Sequence, residues 1–326
     1  MNRGNTHTKS IPQNILPRDD ALQGSAKYFA AEWWYFEAVF NNKYSTVISF
    51  TTFSKKNHFA FPTIEIYKDG NFETRAIKRY LFHDFQISKN LPLIKLGNNK
   101  IIEFDQERFN NRGEWVYNVS MKIDDYEVNL TFIGTTQGWK FELGKTEGWT
   151  VALPKASVTG DITVNGKRMK VNGIGYHDHN WNSSSSRVMN TWGWYWGKIL
   201  SKTLNLVWAN IMKTCSEGEL LAVLNQDNQG FFAINPENIH FKSNKFIRNY
   251  GRKMPTSYTI QIDDVVNDIP INVDVNMAVK NIHRRNRKLL IAPYWRYHVE
   301  ANGYISLGSC RETVNSTQIM EFFRLI

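Results

Sequence analysis

Cysteine and long apolar runs are scarce in this chain. Its 326 residues include two cysteines, Cys215 and Cys310, and no Cys-x-x-Cys pair. A disulfide framework and a paired-cysteine zinc motif are therefore excluded. No run of about 18 apolar residues is present, so the sequence predicts no membrane-spanning helix. Residues 1–20 lack the apolar core of a secretory signal, and together these absences predict a cytoplasmic protein.

The motifs of several large enzyme classes are also missing. The chain has no Walker loop, no dinucleotide-binding glycine pattern, no Gly-x-Ser-x-Gly elbow and no His-Glu-x-x-His sequence. These motifs mark nucleotide, serine-hydrolase and zinc chemistry. We therefore expect no cofactor and no metal.

Acidic residues are the minority charge. The chain has 30 Asp and Glu against 40 Lys and Arg, for a net charge of +10. Such an excess is typical of proteins that bind nucleic acid, an anionic membrane surface or an acidic substrate. The densest basic run, residues 280–288, is interpreted as a solvated loop between strands, with a binding patch as the alternative. No nucleic-acid-binding motif occurs, so we expect no nucleic-acid partner. Peripheral contact of Arg284, Arg285 and Arg287 with the anionic inner face of a membrane is an open alternative.

Aromatic residues, by contrast, are abundant at 14% of the chain. They lie in short runs of β-branched and aromatic residues that are typical of strands. In residues 32–40, alternation places Trp33 and Tyr35 on one face and Trp34 and Phe36 on the other. Both faces are apolar, as expected when one face lies inside a barrel and the other packs against a neighbour. No long helical period occurs before the C-terminal residues, which read as a strand or a short helix, so the sequence predicts an all-β, mostly antiparallel fold.

The two halves of the chain begin alike. Residues 34–36 and 194–196 are aromatic triplets 160 residues apart, and residues 47–49 match 207–209 at the same offset. The match is explained by a duplicated barrel or by chance in so aromatic a chain. A four-serine run begins at Ser183 and is typical of a linker. We predict a flexible N-terminal arm at residues 1–21, an N-terminal barrel at 22–183 and a C-terminal barrel at 184–326.

Proton-moving groups concentrate in residues 173–181, which read Gly-Ile-Gly-Tyr-His-Asp-His-Asn-Trp. If this stretch is a strand, His177 and His179 project to one face and Asp178 and Asn180 to the other. Three interpretations compete. The histidines are two ligands of a metal site whose third ligand is not evident, or the group cross-links loops with every polar atom satisfied. In the third, Asp178 hydrogen-bonds an imidazole and exchanges protons with a substrate, its pKa raised by burial among rings.

Three motifs together resemble the hydroxyneurosporene synthase (carotenoid 1,2-hydratase) and AttH family. They are Glu32-Trp33-Trp34-Tyr35, then residues 175–181, then Trp194-Tyr195-Trp196-Gly197. The resemblance covers about residues 25–300, and residues 176–181 are its most specific part. It implies two packed lipocalin-like antiparallel β-barrel domains with an apolar pocket near their junction. Members of the family include hydratases that add water to an isoprenoid double bond, and related lipocalin-like proteins catalyse cyclisations such as Diels–Alder reactions.

The resulting hypothesis is acid–base conversion of a long apolar, isoprenoid- or polyketide-like substrate, with alkene hydration as the leading reaction. A cyclase or pericyclase of the same fold and a non-catalytic carrier of a hydrophobic ligand are the alternatives. Asp178, aided by His177 or His179, would protonate the double bond, and ring faces would stabilise the cation. The predicted catalytic residues are Tyr176, His177, Asp178 and His179. The predicted substrate-binding residues are Glu32, Trp33, Trp34, Tyr35, Asn180, Trp181, Trp194, Tyr195 and Trp196.

The chain departs from the family pattern at two places. Asn182 follows the Asn-Trp pair where the family has Gly, and Ser306 lies in the neighbourhood where an acidic residue is expected near the C-terminus. The second departure removes an expected partner for activating water.

Overall fold

Strands form nearly all of the regular structure. The computed structural model describes residues 11–24, 30–53, 59–143, 147–183, 192–214, 217–285 and 294–324. These residues form two antiparallel sheets, and the predicted all-β fold of two packed antiparallel units is confirmed. None of the helices in these ranges has the length and apolar character to cross a membrane.

The first sheet contains fourteen strands. They are β1 (Gln13–Asn14), β2 (Ala31–Phe40), β3 (Tyr44–Phe53), β4 (Phe59–Lys68), β5 (Asn71–Ile77), β6 (Tyr80–Leu81), β7 (Phe85–Ile87), β8 (Leu93–Leu96), β9 (Asn99–Phe104), β10 (Val116–Ile123), β11 (Tyr126–Gly134), β12 (Trp139–Leu143), β13 (Glu147–Val164) and β14 (Lys167–Ser183). A 3-10 turn (Pro17–Asp20) precedes β2, and helix α1 (Gln106–Arg112) precedes β10. Asp105 caps the N-terminus of α1 by accepting from the Arg108 amide, which satisfies one of the free donors of the first turn.

The second sheet contains nine strands. They are β15 (Gly193–Leu200), β16 (Leu204–Met212), β17 (Gly218–Gln226), β18 (Phe231–Ala233), β19 (Ile239–Asn249), β20 (Arg252–Val266), β21 (Ile269–Arg285), β22 (Tyr294–Leu307) and β23 (Cys310–Arg324), with a 3-10 turn at Pro236–Asn238. The first sheet ends at Ser183 and the second begins at Gly193; the predicted domain boundary at residues 183/184 stays a prediction. The serines after Ser183 lie outside the described residues.

The two sheets share one strand order. The first contains β5-β4-β3-β2-β14-β13-β11-β10-β9, and the second contains β18-β17-β16-β15-β23-β22-β21-β20-β19. Gly160 and Gly303 occupy matching places in β13 and β22, with φ of 147° and 150°. A Cβ at either would lie 2.0 Å from a carbonyl oxygen of the neighbouring strand, so only glycine fits. The shared order and the paired glycines support duplication over chance.

The offset of 160 holds for β3 and β16 but not for β2 and β15. Tyr35 pairs with Ser49 and Trp196 pairs with Ala209, so the matching positions in the first strands are 161 residues apart. Trp34 is therefore not the counterpart of Trp194. A slip of one residue exchanges the two faces of a strand, and the predicted alignment of the aromatic triplets was wrong by that slip.

Apolar residues form three cores. One lies inside each curled sheet, and the third lies between the sheets. Strand β2 serves two of them, because Trp34 and Phe36 lie inside the first sheet while Tyr35 lies between the sheets. The predicted division of the faces of β2 is confirmed.

Two local expectations need correction. Of the predicted flexible arm, residues 1–10 lie outside the described residues, but residues 11–21 pack against the first sheet, where Asp20 and Ala21 are fully buried. Composition does not reveal the side chains that bind Asp20. Of the basic run, residues 280–285 belong to β21 rather than to a loop, and Arg285 is buried. Residues 286–288 are outside the described part.

Candidate active site at the junction of the sheets

Strand β14 is central to the first sheet and has two buried faces. It pairs with β2 on one side and β13 on the other. Since side chains alternate along a strand, His177 and His179 point into the first sheet while Tyr176 and Asp178 point to the junction. The packing confirms this division: His177 stacks on Phe36, which lies in the interior core, whereas Tyr176 belongs to the junction core.

The inward face holds a group of buried hydrogen bonds. The Nε2 atom of His177 lies 2.9 Å from Asp20 Oδ2, and that of His179 lies 2.9 Å from Glu32 Oε1. The Tyr117 hydroxyl donates to Asp20 Oδ2 at 2.7 Å. The rings of His177 and His179 stack on Phe36 and Trp34 with centroids 3.7 and 4.3 Å apart. The network holds the N-terminal segment against the sheet through Asp20.

The outward face presents the Asp178 carboxyl. Its Oδ2 accepts hydrogen bonds from Trp149 Nε1 at 2.9 Å and from the Tyr176 hydroxyl at 2.8 Å. Its Oδ1 is approached by Asn180 Nδ2 at 3.3 Å. Desolvation raises the pKa of Asp178 to about 7, although the two hydrogen bonds to Oδ2 oppose that rise. Burial disfavours the ionised form because no cation among the described side chains contacts the carboxyl to replace the lost water.

Aromatic rings surround this carboxyl. The Tyr176 ring lies 5.0 Å from that of Trp196, and Tyr35 lies edge-on to both, at 6.4 and 5.6 Å. Trp33 and Trp194 pack against the same core. The indole N–H of Trp196 is buried and lies close enough to the Tyr176 hydroxyl to lower the pKa of that phenol, against the larger raising effect of desolvation.

A buried lysine lies on the other side of the Tyr176 ring. The Lys198 Nζ lies 5.6 Å from the ring centroid and contacts Glu37, which also accepts from the Tyr35 hydroxyl. Desolvation lowers the pKa of Lys198 to about 7, against the raising effect of Glu321. Two groups that change protonation near neutrality therefore flank one phenol ring.

Farther along the junction, a cluster of ion pairs crosses from sheet to sheet. Glu65 of β4 contacts Arg285 at 2.6 Å, Arg75 at 3.4 Å, and Arg296. Arg296 also binds Glu321 of β23 at 2.6 Å. The arginines hold the pKa of Glu65 well below its usual range against the opposing desolvation. We name this set (Glu65, Arg75, Arg285, Arg296, Glu321) the ionic cluster.

Glu321 and Asp178 occupy matching positions in the duplicated sheets. Asp178 pairs with Tyr35 and Glu321 pairs with Trp196, and the two aromatic residues are themselves counterparts. The sequence comparison sought an acidic residue near Ser306 and missed Glu321. The available signal for Glu321 was its position within an otherwise apolar stretch of β23, between Met320 and Phe322. Alternation places Glu321 on the face opposite those two residues.

The structure brings together some of the predicted residues and separates others. Junction residues are Trp33, Tyr35, Tyr176, Asp178, Asn180, Trp194 and Trp196. The other predicted residues point away from the junction. The side chains of Glu32, Trp34, His177 and His179 point into the interior of the first sheet, and that of Tyr195 points into the interior of the second. Trp181 lies beside His179, with ring centroids 5.5 Å apart. The side chain of Asn182 is outside the described part.

The expected hydrogen bond from a histidine to Asp178 is wrong. Both imidazoles bind carboxylates on the opposite face of β14, so neither reaches the outward carboxyl. Lys198, Glu37 and the ionic cluster were missed by sequence reasoning, although alternation already placed Glu37 on the Tyr35 face. Among the described side chains, no group of three or more His, Cys, Asp and Glu is arranged to hold a metal ion.

A surface recess of about 710 Å³ lies beside α1. Its lining includes Leu91 and Phe104 but is mostly polar, with Glu103, Gln106 and Asn110 among its members. No junction residue lines it. A polar, open recess of this kind does not match an apolar substrate.

Comparisons with known proteins identify the fold. No protein-family model matches the chain. A stretch of 57 residues, 18% of the chain, is 39% identical to the quinolone epoxide rearrangement protein penF of Penicillium thymicola, and that stretch spans only 16% of the relative's length.

Solved structures match along nearly the whole chain. An AttH-type protein of Nitrosomonas europaea has a TM-score of 0.65 at 13% identity, with 96% of this chain and 98% of that chain covered. Kievitone hydratase of Nectria haematococca has a TM-score of 0.61 at 10% identity, with 95% and 93% covered. CghA has a TM-score of 0.54 at 11% identity, with 91% and 88% covered. At these identities the likeness shows a shared fold.

Proposed function

We propose that the junction carries out acid–base conversion of a long apolar substrate, started by proton transfer from Asp178, with hydration of a carbon–carbon double bond as the leading reaction. The observation that carries this proposal is the Asp178 carboxyl, buried among rings and with a pKa of about 7. A general acid works best when its pKa lies near the working pH. The protonated and ionised forms of Asp178 are then both populated.

The hydrogen bonds indicate which oxygen carries the proton. Oδ2 accepts from Trp149 and Tyr176, whereas Oδ1 has only the longer approach of Asn180. An oxygen that accepts two hydrogen bonds is the poorer site for a proton, so the proton resides on Oδ1. Trp149 and Tyr176 thereby orient the donor.

Hydration proceeds in two balanced steps in this proposal. The Oδ1 proton forms a C–H bond with one alkene carbon, and the other becomes a tertiary cation. A water molecule then forms the C–O bond, and its extra proton returns to the Asp178 carboxylate, which restores the acid. Ring faces of Tyr35, Tyr176 or Trp196 stabilise the cation, each by roughly 0.5–2 kcal/mol.

Acid-triggered rearrangement or cyclisation is the second candidate. The 57-residue likeness to an epoxide rearrangement protein favours it, whereas the hydratase among the proteins of the same fold favours hydration. Here the Asp178 proton goes to a substrate oxygen, and no water is added. A cytoplasmic location and an isoprenoid-like substrate, as in carotenoid hydration, remain parts of the proposal.

Asp178→Asn tests the acid role, because asparagine keeps the shape and the acceptor for Trp149 and Tyr176. Protein is incubated with a lipid extract, and products are followed by mass spectrometry for gain of one water or for isomers of unchanged mass. We expect the parent to form product and Asp178→Asn to be slower by about 10²–10⁴-fold. Asp161→Asn, on the β13–β14 hairpin, is the matched control and keeps the parent rate.

Equal rates in folded Asp178→Asn and parent would refute the acid role. A ligand that binds tightly and is recovered unchanged after long incubation would identify a carrier. A gain of one water selects hydration, and an isomer selects rearrangement.

A further inference from the structure

The β19–β20 hairpin extends beyond the second sheet. Its ladder continues to the Asn249–Arg252 pair, whereas β20 pairs with β21 only from Ser257 onward. Lys245, which has φ of 50°, and Thr256 opposite it are both unpaired in this ladder, so the register is the same on either side of them. Residues 244–253, which we name the hairpin tip, therefore form a two-stranded ribbon beyond the part of β20 that pairs with β21.

The hairpin tip exposes large apolar side chains. Phe246, Ile247 and Tyr250 are 47%, 43% and 70% exposed. Phe246 and Ile247 are adjacent in β19 and point to opposite faces of the ribbon, so the tip carries exposed apolar side chains on both faces, and such a concentration is typical of an interaction site. The base of the hairpin is anchored by Met254, which is fully buried, and Asn249 near its end accepts a hydrogen bond from Trp295 of β22, so the tip lies against the end of the second sheet.

Positive charge surrounds these apolar residues without an internal counter-charge. The hairpin carries Lys242, Lys245, Arg248, Arg252 and Lys253, and no Asp or Glu occurs between residues 240 and 262. Arg248 and Lys253 face each other across the ladder, an arrangement of like charges that is unfavourable in isolation. None of the five takes part in an ion pair among the described residues.

The cations also lie against the rings. The Lys253 Nζ is 4.3 Å from the Phe246 ring centroid, and the Arg284 guanidinium is 4.2 Å from that of Tyr250. The tip therefore combines exposed aromatic side chains with surrounding basic residues and has no carboxylate. This combination is complementary to a surface with anionic groups outside and an apolar layer below them. A lipid bilayer with acidic headgroups has both properties.

The hairpin tip is fixed near one end of the junction. Trp295 Nε1 donates to Asn249 Oδ1 at 3.0 Å. The neighbours of Trp295 in β22, Tyr294 and Arg296, point the other way and bind Glu321 of the ionic cluster. A surface contacted by the tip therefore lies at the end of β22 that also reaches the junction.

We propose that the hairpin tip docks the protein on an anionic lipid surface, with Phe246, Ile247 and Tyr250 entering the interface and the basic residues meeting headgroup phosphates. Of the basic run that suggested membrane contact in the sequence, Arg285 is buried in the ionic cluster, whereas Arg284 lies over the Tyr250 ring of the hairpin tip. The purpose of docking, which is uptake of an apolar substrate, rests on the proposed function. The docking itself does not depend on that function.

Cosedimentation with vesicles tests the proposal. Vesicles of phosphatidylcholine alone are compared with vesicles containing about 30 mol% phosphatidylglycerol. We expect binding only to the second kind, weakened by salt. Phe246→Ser/Ile247→Ser/Tyr250→Ser and, separately, Arg248→Glu/Lys253→Glu each lower the partition coefficient by at least about tenfold.

Matched controls separate the hairpin tip from general properties of the surface. Ile174→Ser/Val265→Ser removes other exposed apolar residues, and Lys122→Glu/Lys167→Glu changes the net charge by the same amount as the hairpin charge variant. Both controls bind as the parent does. A circular dichroism spectrum and an unfolding midpoint equal to those of the parent show that the hairpin variants keep their fold.

The proposal is overturned if the parent ignores anionic vesicles, or if hairpin and control variants bind alike. Hairpin-dependent binding of a single-stranded oligonucleotide without vesicle binding would also overturn it, in favour of nucleic acid. Asp178→Asn should bind vesicles as the parent does. Failure of docking is thus distinguishable from failure of the proposed chemistry.

Discussion

The two ends of the junction bury carboxyl groups in opposite ways. At the ionic end, Glu65 contacts three guanidinium groups, and its pKa is held well below the usual range. At the aromatic end, Asp178 is bound by an indole N–H, a phenol and an amide, and its pKa rises to about 7. Both carboxyls are almost completely buried. The difference is therefore the presence of cations rather than burial.

This difference suits the two ends of the junction to different roles. A carboxylate that is fully paired with arginine holds two sheets together but is a poor proton donor, since it stays ionised. A buried carboxyl whose hydrogen-bond donors are neutral binds a proton more tightly, because burial disfavours its ionised form. It can then transfer that proton to a substrate. Glu321 and Asp178 show the contrast at matching positions of a duplicated fold, where Arg296 beside Glu321 is replaced by Val151 beside Asp178.

The largest expected effect on stability comes from removing the charge at the ionic end. Glu65→Gln takes away the carboxylate that Arg75, Arg285 and Arg296 contact, which leaves buried positive charge poorly compensated. We expect the free energy of unfolding to fall by about 3–5 kcal/mol, measured by urea denaturation at neutral pH.

Glu219→Gln is the control for this change. Glu219 is half exposed and lies 3.7 Å from Lys213, and surface pairs of this kind contribute roughly 0–1 kcal/mol. If Glu65→Gln cost no more than Glu219→Gln, the contrast between the two ends would not hold.

A pH series sharpens the comparison at the aromatic end. Because the folded-state pKa of Asp178 is raised from 3.8 to about 7, the folded protein binds this proton more tightly than the unfolded chain. The contribution of Asp178 is fully favourable below about pH 4 and is lost as the pH rises to about 7. Asp178→Asn cannot titrate, so its stability relative to the parent should increase across this window, by roughly 4 kcal/mol at most.

The contribution of Lys198 to the free energy of unfolding increases with pH above about 7, opposite to that of Asp178, because the folded-state pKa of Lys198 is lowered. That slope is present in parent and variant and cancels in their difference. Urea denaturation of both proteins from about pH 5 to about pH 8 measures the effect. A constant difference over this range would show that Asp178 is ionised throughout.

The sequence predicted the strands and their faces but not the electrostatics of the junction. Alternation in β2 and β14 correctly assigned Trp34 and His177 to one side and Tyr35 and Asp178 to the other, because a strand has a fixed period of two. It also predicted that burial would raise the pKa of Asp178. It did not find the partner of His177, since Asp20 is 157 residues away in the chain.

The ionic cluster could not be predicted from the sequence because its members are also far apart in the chain. Its members come from β4, β5, β21, β22 and β23, and Arg285 looked like part of a solvated basic run until the register placed it opposite Tyr294. Contacts between distant strands follow from sheet packing, which no local pattern encodes. The sequence left duplication and chance open as explanations of the repeat, and its alignment of the aromatic triplets was one residue off in β2.

The smallest expected effect comes from a matched pair of tyrosines. Tyr67 donates to Glu65 at 2.7 Å, and Tyr176 donates to Asp178 at 2.8 Å. At about pH 6 the first acceptor is ionised and the second is mostly neutral, so Tyr67→Phe should cost about 2 kcal/mol and Tyr176→Phe about 1 kcal/mol. As the pH rises above 7, Asp178 ionises, and the hydrogen bond from Tyr176 becomes charge-assisted. The two costs, measured by urea denaturation, should then converge, and a gap that stays constant with pH would mean that the two carboxyls are alike after all.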